Sequence, residues 1–329
     1  MEKKQDNLME ISDLTVRYNT DDAVVHAVNN FNLKLVRGEA RGLVGETGAG
    51  KTTLALSILR LLPERVGEVT GGSIVYDGQE LLNLPEAEML PLRGKRISMI
   101  FQDPMTSLNP TQTVGDQILE VLNLHFPEMT REEKNKRVDE MMTLVGIPPQ
   151  RKKSFPHEFS GGMKQRVVIA MALVAEPELL LADEPTTALD VTIQAQILEL
   201  MKQLREKFNT SVMLITHDLG VVAQFCDSVS VVYAGRVVEY GPVEIVFQRK
   251  ENHPYTAGLF NCIPNLHDDQ PRLHPIAGHM ADPRVEYKGF CFADRCEYAT
   301  ERCRTEAPSM HVCGEHGILC HRYAEKEEF

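Results

Sequence analysis

The 329-residue sequence has no uninterrupted apolar run close to the roughly 20 residues that a membrane-spanning helix needs. Residues 1–7 (MEKKQDN) are polar throughout and lack the apolar stretch of a signal peptide. These absences argue against transmembrane helices within the chain and predict a protein that stays in the cytosol. Any role in transport would then depend on partners.

Basic residues are scarce relative to acidic ones. The chain has 35 Lys and Arg against 47 Asp and Glu, which gives a net charge of −12. Broad nucleic-acid binding needs a basic surface that displaces counterions, and attachment to an anionic membrane by charge alone needs one too. We therefore expect no nucleic-acid partner. The hydrophobic fraction of 43% is that of an ordinary globular protein.

Cysteine is missing from the first 225 residues, and five of the seven cysteines fall within the last 39. A cytosolic chain rarely keeps structural disulfides, so this clustering favours a metal site. Four thiolates can hold a [4Fe–4S] cluster or tetrahedral zinc, and neighbouring histidines leave a mixed zinc site open. Unligated thiols are a third alternative. The four candidate ligands are Cys291, Cys296, Cys303 and Cys320, with Cys313 as a spare.

Short apolar runs alternate with helical patterns, which is typical of a largely parallel sheet covered by helices. Residues 179–182 (LLLA) and 212–215 (VMLI) are continuous apolar runs, as expected of strands buried on both faces. The pattern predicts an α/β domain over residues 1–250, with a helical insertion at about 103–176. The capping-box form of residues 113–116 (TVGD) predicts a helix start in this insertion. Residues 230–240 (SVVYAGRVVEY) predict a hairpin that turns at Ala234–Gly235. Beyond residue 250 prolines, histidines and cysteines accumulate, so residues 251–329 are predicted to form a small Cys-rich extension.

A phosphate-binding motif follows the first predicted strand of the α/β pattern. Residues 45–52 (GETGAGKT) fit G-x-x-x-x-G-K-[ST], with a strand before the motif and a helix after it. The glycines let backbone N–H groups converge on phosphate oxygens, and the helix start adds a partial positive charge. Lys51 is expected to reach the outer phosphates and the Thr52 hydroxyl to ligate Mg²⁺.

The second half of such a site is an acidic residue at the end of a buried strand. Asp183 and Glu184 follow the apolar run 179–182. Asp183 is expected to hold Mg²⁺ through water, and Glu184 to polarise the attacking water. Many strands end in solvated carboxylates, so this pair gains its weight from its place after the phosphate motif.

Between these two motifs, residues 159–166 (FSGGMKQR) place a serine and two glycines at the start of a predicted helix. This stretch resembles the LSGGQ signature of ABC-type ATPases, and the chain is identified as a member of that family. The resemblance implies a RecA-like P-loop core, and a signature that contacts the γ-phosphate of ATP bound to an opposite subunit. Met163 departs from the usual Gln, and a thioether cannot replace the hydrogen bonds of an amide.

The resemblance also implies roles for residues outside these motifs. Gln102 matches the Q-loop, which senses Mg²⁺ and the γ-phosphate and faces the membrane subunit. Residues 188–190 (ALD) match the D-loop that crosses the dimer interface, and His217 matches the switch histidine at the γ-phosphate. Tyr18 lies where the family places an aromatic ring against adenine, although an edge-strand aromatic is an equally ordinary explanation.

The expected site residues fall into groups by role. Hydrolysis is assigned to Gln102, Glu184 and His217, and Mg²⁺ to Thr52 and Gln102. The residues expected to contact ATP are Tyr18, Gly45, Glu46, Thr47, Gly48, Ala49, Gly50, Lys51, Thr52, Thr53, Asp183, Ser160, Gly161, Gly162, Met163 and Asp190.

Longer stretches resemble the dipeptide/oligopeptide and nickel importer branch, and their order resembles its D-type ATPase subunits. These stretches are 101–110 (FQDPMTSLNP), 187–198 (TALDVTIQAQIL), 253–256 (HPYT) and 289–296 (GFCFADRC). The resemblance implies an F-type ATPase as heterodimer partner, two transmembrane permease subunits and a solute-binding protein, at the cytoplasmic face of the membrane. Some D-type subunits carry a [4Fe–4S] cluster on a matching tail, which favours the cluster over zinc. The cargo stays open among dipeptides, oligopeptides, glutathione-like peptides and nickel.

Three other functions account for parts of the pattern. A non-transport ABC ATPase of DNA repair or translation usually has two cassettes or nucleic-acid-binding insertions, which this acidic single cassette lacks. Exporter cassettes are often fused to transmembrane helices. A scaffold that binds ATP without hydrolysing it would not need both Glu184 and His217. We therefore expect a transport-coupled ATPase.

Overall fold

The structure is a computed structural model that describes residues 6–187, 189–248, 251–263 and 275–324. Ala188 of the predicted D-loop and the predicted boundary at residue 250 lie outside the described residues. The strands are β1 (Asn7–Asn19), β2 (Val24–Val36), β3 (Ala40–Val44), β4 (Gly67–Tyr76), β5 (Gln79–Glu80), β6 (Ile97–Ile100), β7 (Leu179–Asp183), β8 (Ser211–Thr216), β9 (Ser228–Tyr233), β10 (Arg236–Pro242), β11 (Met310–Cys313) and β12 (His316–Leu319).

The helices of the described residues follow the strands in the order typical of an α/β protein. They are α1 (Lys51–Ile58), α2 (Glu86–Met89), α3 (Pro104–Ser107), α4 (Val114–His125), α5 (Arg131–Leu144), α6 (Gly161–Leu173), α7 (Val191–Phe208), α8 (Leu219–Phe225), α9 (Val243–Gln248), α10 (Pro254–Asn261) and α11 (Glu301–Thr305). The chain divides into two compact units, and each unit draws on separate stretches of sequence.

The first unit contains residue 6, residues 35–40 and the described residues of 83–215. In it β6, β7 and β8 pair in parallel, with every residue of β7 and β8 buried. The apolar runs 179–182 and 212–215 therefore form doubly covered strands, as the sequence predicts. Helices α3 to α6 fill the predicted helical stretch at about 103–176, and its standing as a subdomain stays a prediction.

The longer helices of this unit, α4 to α7, start where the sequence supplies a capping side chain. Thr113 accepts a hydrogen bond from the Asp116 backbone N–H and starts α4. Thr130 and Glu133 form a full capping box at the start of α5, because each side chain bonds the other residue's backbone N–H. The capping form predicted at Thr113 is thus partly realised, with Asp116 bonding the Thr113 hydroxyl.

The second unit contains residues 7–34, residues 41–82 and the described residues from 216 onward. One sheet has the strand order β2-β1-β4-β5. In the other, β3 runs parallel to β9, and β10, β12 and β11 follow in antiparallel pairs. The tight turn between β9 and β10 has Ala234 and Gly235 at positive φ, which confirms the predicted hairpin.

The C-terminal region continues this second sheet. Strand β12 pairs with β10 at Glu239–Ile318 and Tyr240–Gly317. A buried cluster reinforces the pairing: the Glu239 carboxylate lies 2.7 Å from Nε2 of His316 and accepts from the His253 N–H at 2.9 Å. The described residues after 251 thus share a core with the strands before them, and their independence as an extension stays a prediction.

Candidate nucleotide-binding site

The phosphate motif forms the loop between β3 and α1, as its sequence predicts. Gly50 precedes α1 with φ 92°, a left-handed conformation that only glycine adopts without strain. A Cβ on Gly50 would lie 2.1 Å from the Ala27 carbonyl oxygen, and one on Gly45 would lie 2.1 Å from that of Val232. Neither position can hold a larger residue without displacing backbone.

Lys51 is buried inside this loop. Its Nζ donates hydrogen bonds to the carbonyl oxygens of Gly45 at 2.7 Å and Glu46 at 2.9 Å. The ammonium therefore sits within the loop that the sequence assigns to phosphates. Thr52, next along the helix, is exposed, so its hydroxyl is accessible to a metal ion. This arrangement fits the donor set expected for a magnesium-bound triphosphate.

Tyr18 in β1 lies against the helix that begins at Lys51. Its hydroxyl is 3.1 Å from Oγ1 of Thr53, a residue also assigned to the nucleotide. The ring edge lies 3.2 Å from the Cβ position of Gly67. The structure therefore brings Tyr18 next to the phosphate-loop helix, while its stacking on adenine stays a prediction.

The acidic pair at the end of β7 is held by specific contacts. Asp183 is buried, and Glu184 has φ 46°, a left-handed conformation uncommon for a residue with a side chain. The Glu184 carboxylate oxygen Oε2 accepts from Nε2 of Gln102 at 3.2 Å and from Oγ1 of Thr187 at 2.8 Å. Strained backbone of this kind is concentrated at functional sites.

Gln102 and Glu184, two of the predicted hydrolysis residues, are thus in direct contact. Thr187 was absent from the predicted site, although it lies in a stretch that carried the family resemblance. Its hydroxyl fixes the orientation of the Glu184 carboxylate.

The signature residues lie at the start of α6, as predicted. Ser160 is the N-cap, and its hydroxyl accepts from the Met163 N–H at 3.4 Å. Ser160 and Gly161 are exposed, whereas a Cβ on Gly162 would lie 2.6 Å from Cγ2 of Ile193. Gly162 therefore permits α6 to approach α7 closely.

Asp190 and His217 lie at the starts of other elements. Asp190 caps α7, because its Oδ1 accepts from the Ile193 N–H at 3.0 Å. His217 is exposed directly after β8, beside Asp218, which caps α8. The Asp190 side chain is thus held by the helix cap itself, and no contact with a nucleotide is needed to explain its conformation.

Two C-terminal residues contact the phosphate loop and were not predicted at the site. Arg295 forms two hydrogen bonds to the Glu46 carboxylate, at 2.7 and 3.1 Å. The Tyr255 hydroxyl accepts from the Glu46 N–H at 3.0 Å. Both residues belong to stretches that carried the branch resemblance, 289–296 and 253–256. Their occurrence in those stretches was the available signal, but nothing in their spacing pointed to the loop.

The four candidate thiols do not share one cavity. Cys296, Cys303 and Cys320 line a cavity of about 20 Å³, while Cys291 lines a separate cavity of about 150 Å³. Burial raises the pKa of Cys291 to about 11, and burial also raises the pKa of Cys296 and Cys320. Within the described ranges, no group of three or more His, Cys, Asp or Glu side chains is arranged to hold a metal ion. The seven cysteines form no disulfides.

Comparison with known proteins places this geometry in a family. The ABC transporter family matches residues 28–187. The oligopeptide transport ATP-binding protein OppD of Haemophilus influenzae is 47% identical over 326 residues, 98% of each chain. The chain belongs to the ATP-binding subunits of ABC transporters. OppD of Bacillus subtilis is 48% identical, over 98% of this chain and 91% of that one.

Solved structures of ABC transporter ATPases share the fold. CbiO1 of Clostridium perfringens, part of an ABC transporter complex, is 30% identical with a TM-score of 0.65, over 75% of this chain and 93% of that one. A dimeric ATP-binding cassette bound to ADP and phosphate is 28% identical with a TM-score of 0.64, over 71% and 98%. This ABC subunit has, within its described part, no helix long and apolar enough to cross a bilayer.

Proposed function

We propose that this chain is the ATP-hydrolysing subunit of an importer of dipeptides or oligopeptides. The observation that supports the cargo class is the match of residues 238–303 to the C-terminal region of oligopeptide/dipeptide transporters. The oligopeptide names of the relatives point the same way. The chain would work at the cytoplasmic face of the membrane with an F-type ATPase, two permease subunits and a solute-binding protein.

Each predicted residue has a role in the proposed cycle. The phosphate loop and Lys51 would bind the triphosphate, Thr52 and Gln102 would hold Mg²⁺, and Asp183 would assist through water; the metal would neutralise charge on the phosphates. Glu184 accepts the proton of the attacking water, since Gln102 and Thr187 orient its carboxylate. His217 and a partner's signature contact the γ-phosphate.

Binding energy, rather than bond cleavage, drives closure of the two cassettes in this proposal. ATP that binds the closed pair better than the open pair shifts the population toward closure. The exposed Ser160 and Gly161 support this reading, because an exposed helix start can receive a phosphate presented by another chain. Hydrolysis then removes the γ-phosphate and allows the pair to open.

Replacement of Glu184 with Gln tests the hydrolytic role. The amide keeps the shape of the side chain but cannot accept the proton, so turnover should fall roughly 10²- to 10⁴-fold. The ATP-bound closed dimer should accumulate. Phosphate release and size-exclusion chromatography of the assembled complex measure both effects. Glu199→Gln, on the exposed face of α7, is the matched control. Wild-type turnover in Glu184→Gln would show that this carboxylate is not the base.

The cargo requires a separate experiment. The assembled complex is supplied with its binding protein loaded in turn with dipeptides, longer peptides, glutathione or nickel, and ATP turnover is measured. Stimulation by peptides supports the proposal, and stimulation by nickel alone contradicts it.

We also propose that Cys296, Cys303 and Cys320 are ligands of a [4Fe–4S] cluster, because the three thiols line one cavity. Cys291, the fourth ligand of the sequence prediction, lines another cavity and does not fit the same site. A bound cluster would cross-link the C-terminal region and stabilise it. Anaerobically purified protein should contain about four iron and four sulfide per chain, and Cys303→Ser should lose them while Cys313→Ser keeps them. Stoichiometric zinc without iron would refute the cluster.

A further inference from the structure

The loop that is expected to bind the triphosphate of ATP contains a carboxylate residue, Glu46. Glu46 is the second residue of the phosphate motif, and its carbonyl oxygen already accepts a hydrogen bond from the Lys51 ammonium. A negative charge in this loop would oppose the binding of phosphate groups, and more strongly in a partly buried site than in open water. A cation paired with Glu46 would reduce this repulsion.

Arg295 is placed to provide that neutralisation. Its Nη1 and Nη2 reach the two Glu46 carboxylate oxygens at 2.7 and 3.1 Å, the bidentate geometry that suits arginine. The Arg295 side chain is 5% exposed and that of Glu46 is 32% exposed, so water reaches the pair from the Glu46 side only. This contact joins residues 249 positions apart in sequence.

The Arg295 guanidinium has further contacts besides Glu46. Its Nε donates to the Ala277 carbonyl oxygen at 3.1 Å, and it lies 5.6 Å from the centre of the Tyr233 ring. Burial by itself would lower the pKa of Arg295, but its hydrogen bonds to Glu46 and Tyr233 outweigh burial and raise the pKa. Tyr233 packs edge-on against Tyr255 and Phe292, which anchors the contact in an aromatic core.

Two further C-terminal residues touch the same loop. The Tyr255 hydroxyl accepts from the Glu46 N–H at 3.0 Å, and Met280 Cε lies 3.7 Å from the Cβ position of Gly48. The loop is thus contacted at the Glu46 backbone by Tyr255, at the Glu46 side chain by Arg295 and beside Gly48 by Met280. The C-terminal region is packed directly on the phosphate loop.

We propose that Arg295 is a positioning residue of the nucleotide site, which neutralises Glu46 and holds its carboxylate against the C-terminal region. ATP affinity then depends on the C-terminal region as well as on the loop itself. The inference rests on the proposed function, because it concerns how the same loop binds ATP.

A double-mutant comparison tests this role in the full chain, with MgATP binding measured by titration calorimetry. Arg295→Gln leaves the Glu46 charge unneutralised, so the Kd for MgATP should rise roughly tenfold, and the defect should shrink as ionic strength rises. Adding Glu46→Gln removes the charge, so the double variant E46Q/R295Q should bind MgATP roughly fivefold more tightly than Arg295→Gln alone. Arg302→Gln, which breaks an exposed pair with Glu306 in the same region, should leave the Kd unchanged.

A merely structural role for Arg295 would give a different pattern. The double variant would then bind as weakly as Arg295→Gln alone, and that result would overturn the inference, as would wild-type affinity in Arg295→Gln. If Arg295→Gln does not fold, Arg295→Lys provides the comparison, since it keeps the charge but loses the two-pronged contact. Affinity in Arg295→Lys should lie within about threefold of wild type, and a larger loss contradicts the charge argument. A wild-type chain that does not bind MgATP would instead refute the proposed function.

Discussion

The phosphate loop at residues 45–52 and the signature segment at residues 159–163 both place glycines at the start of a helix, but their surroundings differ. The loop is enclosed: Lys51 is buried, and a Cβ on Gly45 or Gly50 would collide with backbone oxygen. In the signature segment Ser160 and Gly161 are exposed, and among the described residues a Cβ on Gly161 would meet only Leu189 Cδ2, at 3.8 Å. The two motifs are equally easy to recognise in the sequence, but the backbone around the loop leaves less space for an added side chain. The loop is shaped by its own chain, whereas the signature segment has an open face.

The largest effect on the comparison should come from adding one methyl group to each segment. Gly50→Ala places a Cβ 2.1 Å from the Ala27 carbonyl oxygen at positive φ, and should lower the free energy of unfolding by about 3 kcal/mol or more. Gly161→Ala should change it by no more than about 0.5 kcal/mol. Urea unfolding of the two variants measures the difference. Equal stability losses would show that the loop is not the more constrained segment.

A smaller effect is expected from removing one lysine ammonium from the loop and, for comparison, the one directly after the signature segment. Lys51→Met removes a buried donor from the loop and should weaken MgATP binding to the isolated chain by about two orders of magnitude. Lys164→Met, in the helix that follows the signature, should leave that affinity unchanged. Calorimetric titration of both variants decides the matter. Comparable losses would mean that the signature helix contributes to nucleotide binding within its own chain.

The smallest effect should come from the helix cap of the signature. Ser160→Ala removes the acceptor for the Met163 N–H and should cost about 1 kcal/mol of unfolding free energy, while Ser160→Asn should restore most of it. MgATP affinity of the isolated Ser160→Ala chain should match wild type. Reduced affinity there would contradict the view that Ser160 serves a nucleotide held by the partner.

Much of the fold and the site could be predicted from local sequence. The apolar runs 179–182 and 212–215, the Thr113 cap and the turn at Ala234–Gly235 are short-range patterns, and the structure places each where the sequence indicates. The phosphate motif could also be recognised from the sequence, because its function needs glycine and lysine at fixed spacing within eight consecutive residues.

The thiol cavity is a case where local sequence was insufficient. Four clustered cysteines predicted one site, but only Cys296, Cys303 and Cys320 line the same cavity. Cys291 lines another cavity, and the ring of its neighbour Phe292 is buried against Tyr233 and Tyr255. Spacing limits how far apart thiols can be, and packing decides which way each side chain faces.

The sequence by itself determined that the chain binds a nucleotide with a glycine loop, carries an acidic pair after a buried strand and has a signature at a helix start. Tertiary structure alone decided that Arg295 pairs with Glu46, that the Tyr255 hydroxyl accepts from the Glu46 N–H and that Gln102 and Thr187 contact the Glu184 carboxylate. The physical reason is the distance along the sequence between the residues that interact. A motif specifies contacts among residues close in sequence, whereas the salt bridge between Glu46 and Arg295, 249 positions apart, depends on how the intervening strands and helices pack.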